Sequence, residues 1–97
     1  MNISIDYDGT YTANPDMWDR VIKLMQDYNC NVYCVTKRYK MLKDGDIKPN
    51  VPIIHAVKSK LEAVKATGIE IDIWIDDNPK SITPYKLLNQ KRYKYHL

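Results

Sequence analysis

Short apolar stretches alternate with helix-like segments along this chain, and the alternation restricts the fold more than any other feature. Strands are predicted at residues 3–5, 32–35, 51–55 and 69–75. Strands that are separated by helices favour a parallel sheet with helices packed on its faces. The sequence therefore predicts an α/β fold whose functional groups lie beyond the carboxyl ends of the strands.

Start and stop signals place the helices between these strands. Asn14, followed by proline and an acid, is typical of a helix start. Ser59 and Glu62 match a capping box, and Gly68 suits the left-handed position just after a helix end. A further short helix is predicted at residues 37–43.

Size and composition indicate a single globular domain over residues 1–97. The chain is 44% hydrophobic and 28% charged, with a net charge of +3, a balance typical of soluble proteins. It has no apolar run long enough to span a membrane and no signal-peptide pattern, so a cytoplasmic location and no membrane partner are expected. Cys30 and Cys34 have no neighbouring ligands, which favours buried reduced thiols over a metal site.

Polar residues gather at the predicted strand ends and at the start of the helix after the third strand. They are Asp6, Asp8, Thr36, Lys58, Lys60, Asp76 and Asp77. The carboxyl ends of parallel strands meet at one edge of the sheet, so these side chains should converge there. Carboxylates that meet repel one another unless a cation lies between them. Magnesium, which prefers oxygen ligands, is the expected cofactor.

A lysine and a threonine hydroxyl beside such a metal can hold a phosphoryl group by charge and hydrogen bonds. A carboxylate can also act as the nucleophile, because an aspartyl-phosphate divides one difficult displacement into two easier ones. The residues alone therefore point to phosphoryl transfer.

Three motifs resemble the haloacid dehalogenase-like (HAD) hydrolase superfamily. They are DYDGT at residues 6–10, VYCVT ending at Thr36, and IWIDDNP at residues 73–79, with a lysine at the helix between the last two. The resemblance covers residues 2–80. It implies a three-layer α/β/α doubly wound (Rossmann-like) parallel sheet of four to five strands. It also implies a phosphatase that hydrolyses phosphomonoesters, with magnesium as its cofactor. The intervals between the motifs leave no room for a cap domain, so a small capless member is expected.

The resemblance also assigns the catalytic residues. Asp6 would be the nucleophile, and Asp8 would protonate the leaving oxygen and then activate water. Thr36 and a lysine would bind the phosphoryl oxygens. Lys60 is preferred because it follows the Ser59 cap at the helix start, with Lys58 as the alternative.

The metal site that the resemblance implies has four members, one of which contributes its backbone carbonyl. Asp8 would use that carbonyl, and the other three would use their carboxylates: Asp6, Asp76 and Asp77.

Two other readings and several partners stay open. A catalytically idle HAD-like module or a receiver-like regulatory domain would bind phosphate without hydrolysing it. The phosphorylated substrate is small or macromolecular, since an uncapped site is open. The basic tail, residues 86–95, allows a nucleic-acid partner, although a solvated helix face is the favoured explanation. A homo-oligomer would cover the open site.

Overall fold

The structure is a computed structural model that describes residues 1–37 and 42–83. The elements in chain order are β1 (Asn2–Ile5), α1 (Pro15–Asp27), β2 (Asn31–Thr36), β3 (Ile53–His55), α2 (Lys60–Ala66) and β4 (Ile73–Ile75). Short 3₁₀ turns follow β1 and β4, at Tyr11–Ala13 and Pro79–Ser81.

Within the described residues, four strands form one parallel sheet in the order β3-β2-β1-β4. Ile5, near the end of β1, lies between Cys34 of β2 and Ile75 of β4. The chain moves outward from β1 through β2 to β3, and then crosses to the other side of β1 to add β4. The α/β fold and its parallel sheet are therefore confirmed, and the direction of strand addition reverses beside β1.

Two apolar clusters form the core, and each helix packs on a different one. Neighbouring residues of β2 belong to different clusters, because successive side chains of a strand point to opposite faces of the sheet. The α1 cluster includes Ile5, Ile22 and Cys34, with Trp18 and Met25 packed against it. The α2 cluster includes Val35, Val64, Ile71, Trp74 and Ile82.

The predicted helix boundaries are confirmed by their capping contacts. The Asn14 side chain accepts a hydrogen bond of 3.3 Å from the backbone N–H of Met17, and the Ser59 hydroxyl accepts one of 3.1 Å from that of Glu62. Gly68, just after α2, has φ +80. A left-handed residue there is favourable for glycine because it lacks a Cβ.

The last strand is shorter than predicted. Residues 69–75 were expected to be extended and paired, whereas β4 begins only at Ile73. Its partner β1 begins at Asn2, so the preceding residues have no strand beside them. The Asn2 side chain instead donates a hydrogen bond of 2.8 Å to the carbonyl of Glu70, and the carbonyl of Asn2 accepts one from the N–H of Asp72.

The third strand is also shorter than residues 51–55. It begins after Pro52, whose carbonyl still accepts a hydrogen bond of 2.9 Å from Cys34 but which has no N–H to donate. The short helix predicted at residues 37–43 falls mostly on residues 38–41, outside the described ranges, as does the basic tail. No helix in the two described ranges is long and apolar enough to cross a membrane.

Candidate active site

A cleft of about 300 Å³ opens at the carboxyl edge of the sheet. Six of the residues that line it are those that the sequence predicted: Asp6, Asp8, Thr36, Lys60, Asp76 and Asp77. Three more, which the sequence did not indicate, are Lys37, Asn78 and Ser81. The ends of β1, β2 and β4 and the first residue of α2 therefore contribute to a single cleft.

Asp6 follows the last residue of β1 and is held on both its backbone and its side chain. Its N–H donates a hydrogen bond of 2.9 Å to the carbonyl of Ile75, and its own carbonyl accepts one of 3.1 Å from Tyr11. The Thr10 hydroxyl donates to Oδ2 of Asp6 at 3.3 Å, and the Lys60 amine donates to Oδ1 at 2.6 Å. Only 7% of the residue is exposed, so its carboxylate has a fixed direction into the cleft.

Lys60 joins two buried acids. Its Nζ lies 2.6 Å from Oδ1 of Asp6 and 2.5 Å from Oδ2 of Asp76, and its side chain is 3% exposed. The Ser59 cap fixes the start of α2 and thereby directs Lys60 towards the strand ends. Lys58 is exposed and does not line this cleft. Of the two predicted lysines, Lys60 is the one whose amine contacts Asp6.

Burial raises the pKa of Asp6 from 3.8 to about 6. The hydrogen bond and positive charge of Lys60 lower that pKa, whereas the negative charge of Asp76 and a hydrogen bond involving Asp77 raise it. Desolvation is the largest of these effects, because moving a carboxylate out of water disfavours its charged form. A buried carboxylate with a raised pKa and a specific charge partner, in a cleft, is a candidate functional residue.

Three carboxylates come close enough to share one cation. Single oxygen atoms of Asp6, Asp76 and Asp77 all lie within 4.8 Å of one another. Asp6 and Asp76 are buried, whereas Asp77 is exposed at the mouth of the cleft. An all-oxygen set with one open side matches the ligands that magnesium takes, since this ion usually keeps several waters.

The chain that follows β4 holds the carboxylate of Asp76. The backbone N–H of Asn78 donates a hydrogen bond of 2.8 Å to Oδ1 of Asp76. The Ser81 hydroxyl, in the 3₁₀ turn that begins at Pro79, lies 3.4 Å from Oδ2 of the same carboxylate and donates a shorter hydrogen bond of 2.8 Å to the carbonyl of Asn78. The Asn78 N–H and the Lys60 amine compensate for the burial of Asp76.

Gly9 permits the close approach of the loop after β1 to Asp77. Its φ is +83, and a Cβ built on it would lie 2.5 Å from Oδ2 of Asp77. The glycine of the DYDGT motif is therefore required both for backbone conformation and for space.

The other two predicted catalytic residues also line the cleft. Thr36 is buried at the end of β2, where its carbonyl accepts a hydrogen bond of 2.8 Å from Ala56. Asp8 is exposed, and its carboxylate is not one of the three that could share a cation. That Asp8 would offer a metal its backbone carbonyl stays a prediction.

The cysteines do not contribute a nucleophile to the cleft. Both are free, and Cys34 is fully buried in the α1 cluster. Burial raises the pKa of the Cys34 thiol to about 12, with Asp6 adding to the shift. A thiol with this pKa stays protonated near neutral pH and is a poor nucleophile.

Comparison of the chain with protein-family models, with curated proteins and with solved structures finds no match. Its function is therefore inferred from the cleft itself: a fixed carboxylate, a buried amine bound to it, and two further acids within reach of one cation.

Proposed function

We propose that this protein is a magnesium-dependent phosphatase of the HAD type, which hydrolyses phosphomonoesters through an aspartyl-phosphate on Asp6. One observation carries the proposal. The Asp6 carboxylate, at the end of a central strand, receives a hydrogen bond from the Lys60 amine and also lies within 4.8 Å of two further carboxylates. The cleft thus combines a nucleophile, Asp6, with a lysine amine that can bind phosphate and with carboxylates that can bind a metal.

In the first step, an oxygen of Asp6 attacks phosphorus, and the bond between phosphorus and the leaving oxygen breaks. Asp8, on the exposed side of the cleft, gives its proton to that oxygen. In the second step Asp8 takes a proton from water, whose oxygen attacks the phosphorus of the aspartyl-phosphate. Inorganic phosphate leaves and the Asp6 carboxylate is restored. Two carboxylates with different exposure suit these two roles, because the buried one is fixed and the exposed one exchanges protons with water.

Lys60 and Thr36 would bind the non-bridging phosphoryl oxygens, which gain charge during phosphoryl transfer. Asp6, Asp76 and Asp77 would hold magnesium, with the backbone carbonyl of Asp8. When bound, the ion neutralises the phosphate charge that the carboxylates would otherwise repel.

The sheet topology supports a three-layer, doubly wound, Rossmann-like arrangement. Its order, β3-β2-β1-β4, is that of the first four strands of the common dinucleotide-binding sheet, in which ligands bind where the order reverses. Here that position is between β1 and β4, where Asp6 and Asp76 follow the two strands. Between Thr36 and Lys60 the described residues contain only β3, which supports the capless form.

The same topology disfavours a receiver-like module. In receiver domains, β1 lies between β2 and β3. In this chain, β3 pairs with β2, and the second neighbour of β1 is β4. An idle HAD-like module would keep the observed order, so only an activity measurement separates it from the phosphatase.

The test is hydrolysis of an aryl phosphate by the purified protein, with magnesium or with excess chelator, beside an Asp6→Asn variant purified in parallel. We expect turnover that requires magnesium and is absent from the variant. Turnover that stays with the pure variant would come from another nucleophile and would contradict the proposal. Phosphate binding without turnover in the wild type would instead support the idle module.

A further inference from the structure

A second cleft, of about 330 Å³, lies directly beside the first. The two share Lys37 and Ser81 as wall residues. The other polar side chains that line it are Lys58, Ser59, Glu62, Lys80 and Thr83. A molecule that reaches into the first cleft can therefore extend into the second without leaving the protein surface.

The two clefts have opposite charge. The first is lined by four carboxylates and two lysines, whereas the second is lined by three lysines, one of them shared with the first, and the single carboxylate of Glu62. Within residues 1–37 and 42–83, no carboxylate forms an ion pair with Lys37, Lys58 or Lys80. Three ammonium groups without a fixed counter-charge attract an anion, and phosphate is a common ligand of lysine.

A buried hydroxyl in the wall of this cleft provides a separate indication. Thr83 is 3% exposed, and its Oγ1 has no hydrogen-bond partner among the described residues. Buried polar groups are nearly always hydrogen-bonded, so an unpartnered one needs an explanation. A ligand oxygen in the cleft, bound directly or through water, would supply the missing partner.

We propose that the second cleft binds a second phosphate of the substrate while the phosphoryl group to be removed lies in the first. The proposal rests on the proposed phosphatase function and narrows its substrate class to phosphomonoesters that carry at least one other phosphate. Lys58 and Lys80 are binding residues for that group, and Lys37 lies between the two phosphates. A small bisphosphorylated molecule and the phosphorylated end of an oligonucleotide both offer this chemistry.

The test compares an aryl phosphate, which has one phosphate, with a nucleoside 3′,5′-bisphosphate and a 5′-phosphorylated hexanucleotide. The variant Lys58→Gln/Lys80→Gln removes two charges of the second cleft. The control variant Lys43→Gln/Lys65→Gln removes two exposed charges that line neither cleft. All assays contain magnesium and are repeated at low and high salt.

We expect the first variant to raise KM about tenfold for the two substrates with a second phosphate, as two partly exposed charge contacts would require. The aryl phosphate should be hydrolysed unchanged, and the control variant should match the wild type throughout. The preference should weaken with salt, because screening weakens exposed charge contacts. If only the hexanucleotide has a higher kcat/KM than the aryl phosphate, the second cleft recognises an oligonucleotide end. If the bisphosphate and the hexanucleotide are improved equally, the cleft recognises any adjacent phosphate.

A nucleoside monophosphate, which lacks the second phosphate, is also assayed with the wild type, and a kcat/KM equal to that of the bisphosphate would overturn the proposal. So would an equal loss on all three substrates in the Lys58/Lys80 variant. The proposal would also be overturned if a phosphoserine peptide rich in glutamate had as large an increase in kcat/KM over the aryl phosphate as the bisphosphate has. The second cleft would then recognise any anion.

If no substrate is hydrolysed, the proposed function fails while the second cleft is still testable. Calorimetric binding of the bisphosphate to the protein, lost in the Lys58/Lys80 variant and kept in the control, would then support the phosphate site. Binding that is equal in all three proteins would overturn it.

Discussion

Replacing Lys60 by methionine tests whether its amine is the counter-charge that allows two acids to be buried together. Methionine keeps the length of the side chain and removes the charge. In the wild type, Nζ lies 2.6 Å from Asp6 and 2.5 Å from Asp76, both nearly inaccessible to water. Without the amine, two carboxylates face each other in a buried environment with no cation between them.

The expected loss follows from these contacts. Breaking a buried charge pair by removing one partner costs about 3–5 kcal/mol, mostly because the other charge is left unpaired. Counting instead two hydrogen bonds to charged groups at about 1.5–3 kcal/mol each gives a similar range. A domain of this size has a free energy of unfolding of about 5–15 kcal/mol, so Lys60→Met should lose a large part of its stability.

The assay is urea unfolding at pH 7 with chelator, followed by the fluorescence of the buried Trp74 and the half-buried Trp18. Lys58→Met is the control, because Lys58 is exposed and has no ion pair among the described residues. Its change should stay within about 0.5 kcal/mol. Adding Asp6→Asn to Lys60→Met should recover part of the loss, since one unpaired charge disappears.

The reasoning would be refuted if Lys60→Met cost no more than Lys58→Met. It would equally be refuted if the double variant were less stable than Lys60→Met, because the carboxylate of Asp6 would then not be the source of the cost. If Lys60→Met is unfolded in water, the double variant still tests the reasoning. A cooperative unfolding transition in the double variant would support the role of Lys60 as the counter-charge of Asp6.

Three further predictions follow from the same cleft. First, burial raises the pKa of Asp6 from its ordinary 3.8 to about 6, so the stability that protonation of Asp6 gives the folded state is complete below pH 3.8 and is lost as pH rises through 6. Between pH 4 and pH 7, the free energy of unfolding of the metal-free wild type should therefore fall by up to about 3 kcal/mol relative to that of Asp6→Asn. Parallel pH profiles of the two proteins would exclude the raised pKa. Second, Asp8→Asn should slow an alkyl phosphate by about 10²–10⁴-fold and an activated aryl phosphate far less, because only the first leaving group needs a proton; mass spectrometry should detect aspartyl-phosphate accumulating on Asp6, and equal slowing without an adduct would remove the acid–base role. Third, Gly9→Ala and Gly68→Ala should each lower the free energy of unfolding by about 1–2 kcal/mol, because each places a Cβ on a left-handed residue. Calorimetry should show weaker magnesium binding only for Gly9→Ala, whose Cβ would displace Asp77. Equal magnesium affinity in the two variants would mean that Asp77 is not a ligand.

The positions of the candidate site residues were predictable because each lies at a boundary that local chemistry marks. Asp6 ends an apolar run, Asp76 ends another, and the Ser59 cap sets the start of α2 and so the direction of Lys60. In a parallel sheet, such boundaries fall on the same edge, so the sequence positions already imply proximity. Their catalytic roles stay predictions until activity is measured.

The features that the sequence did not reveal depend on strand pairing, turn geometry and packing that no local motif marks. The length of β4 is set by where β1 begins, at Asn2, and not by its own alternating isoleucines. The contact of Ser81 with Asp76 depends on the tight turn that Asn78 and Pro79 open. The second cleft has no local motif at all, because its lysines come from three separate segments.

The central position of β1 has a consequence for how the protein is made. Asp6 is separated from Lys60 by 54 residues and Lys60 from Asp76 by 16, so the cleft closes only after the last strand has joined the first. A growing chain that has left the ribosome as far as α2 presents β1 with one unpaired edge, which is prone to pairing with other chains. Cutting the gene between α2 and β4 would yield two polypeptides, neither of which holds the complete acidic triad. If the proposed phosphatase function holds, activity regained on mixing the two polypeptides would measure the docking of β4 on β1.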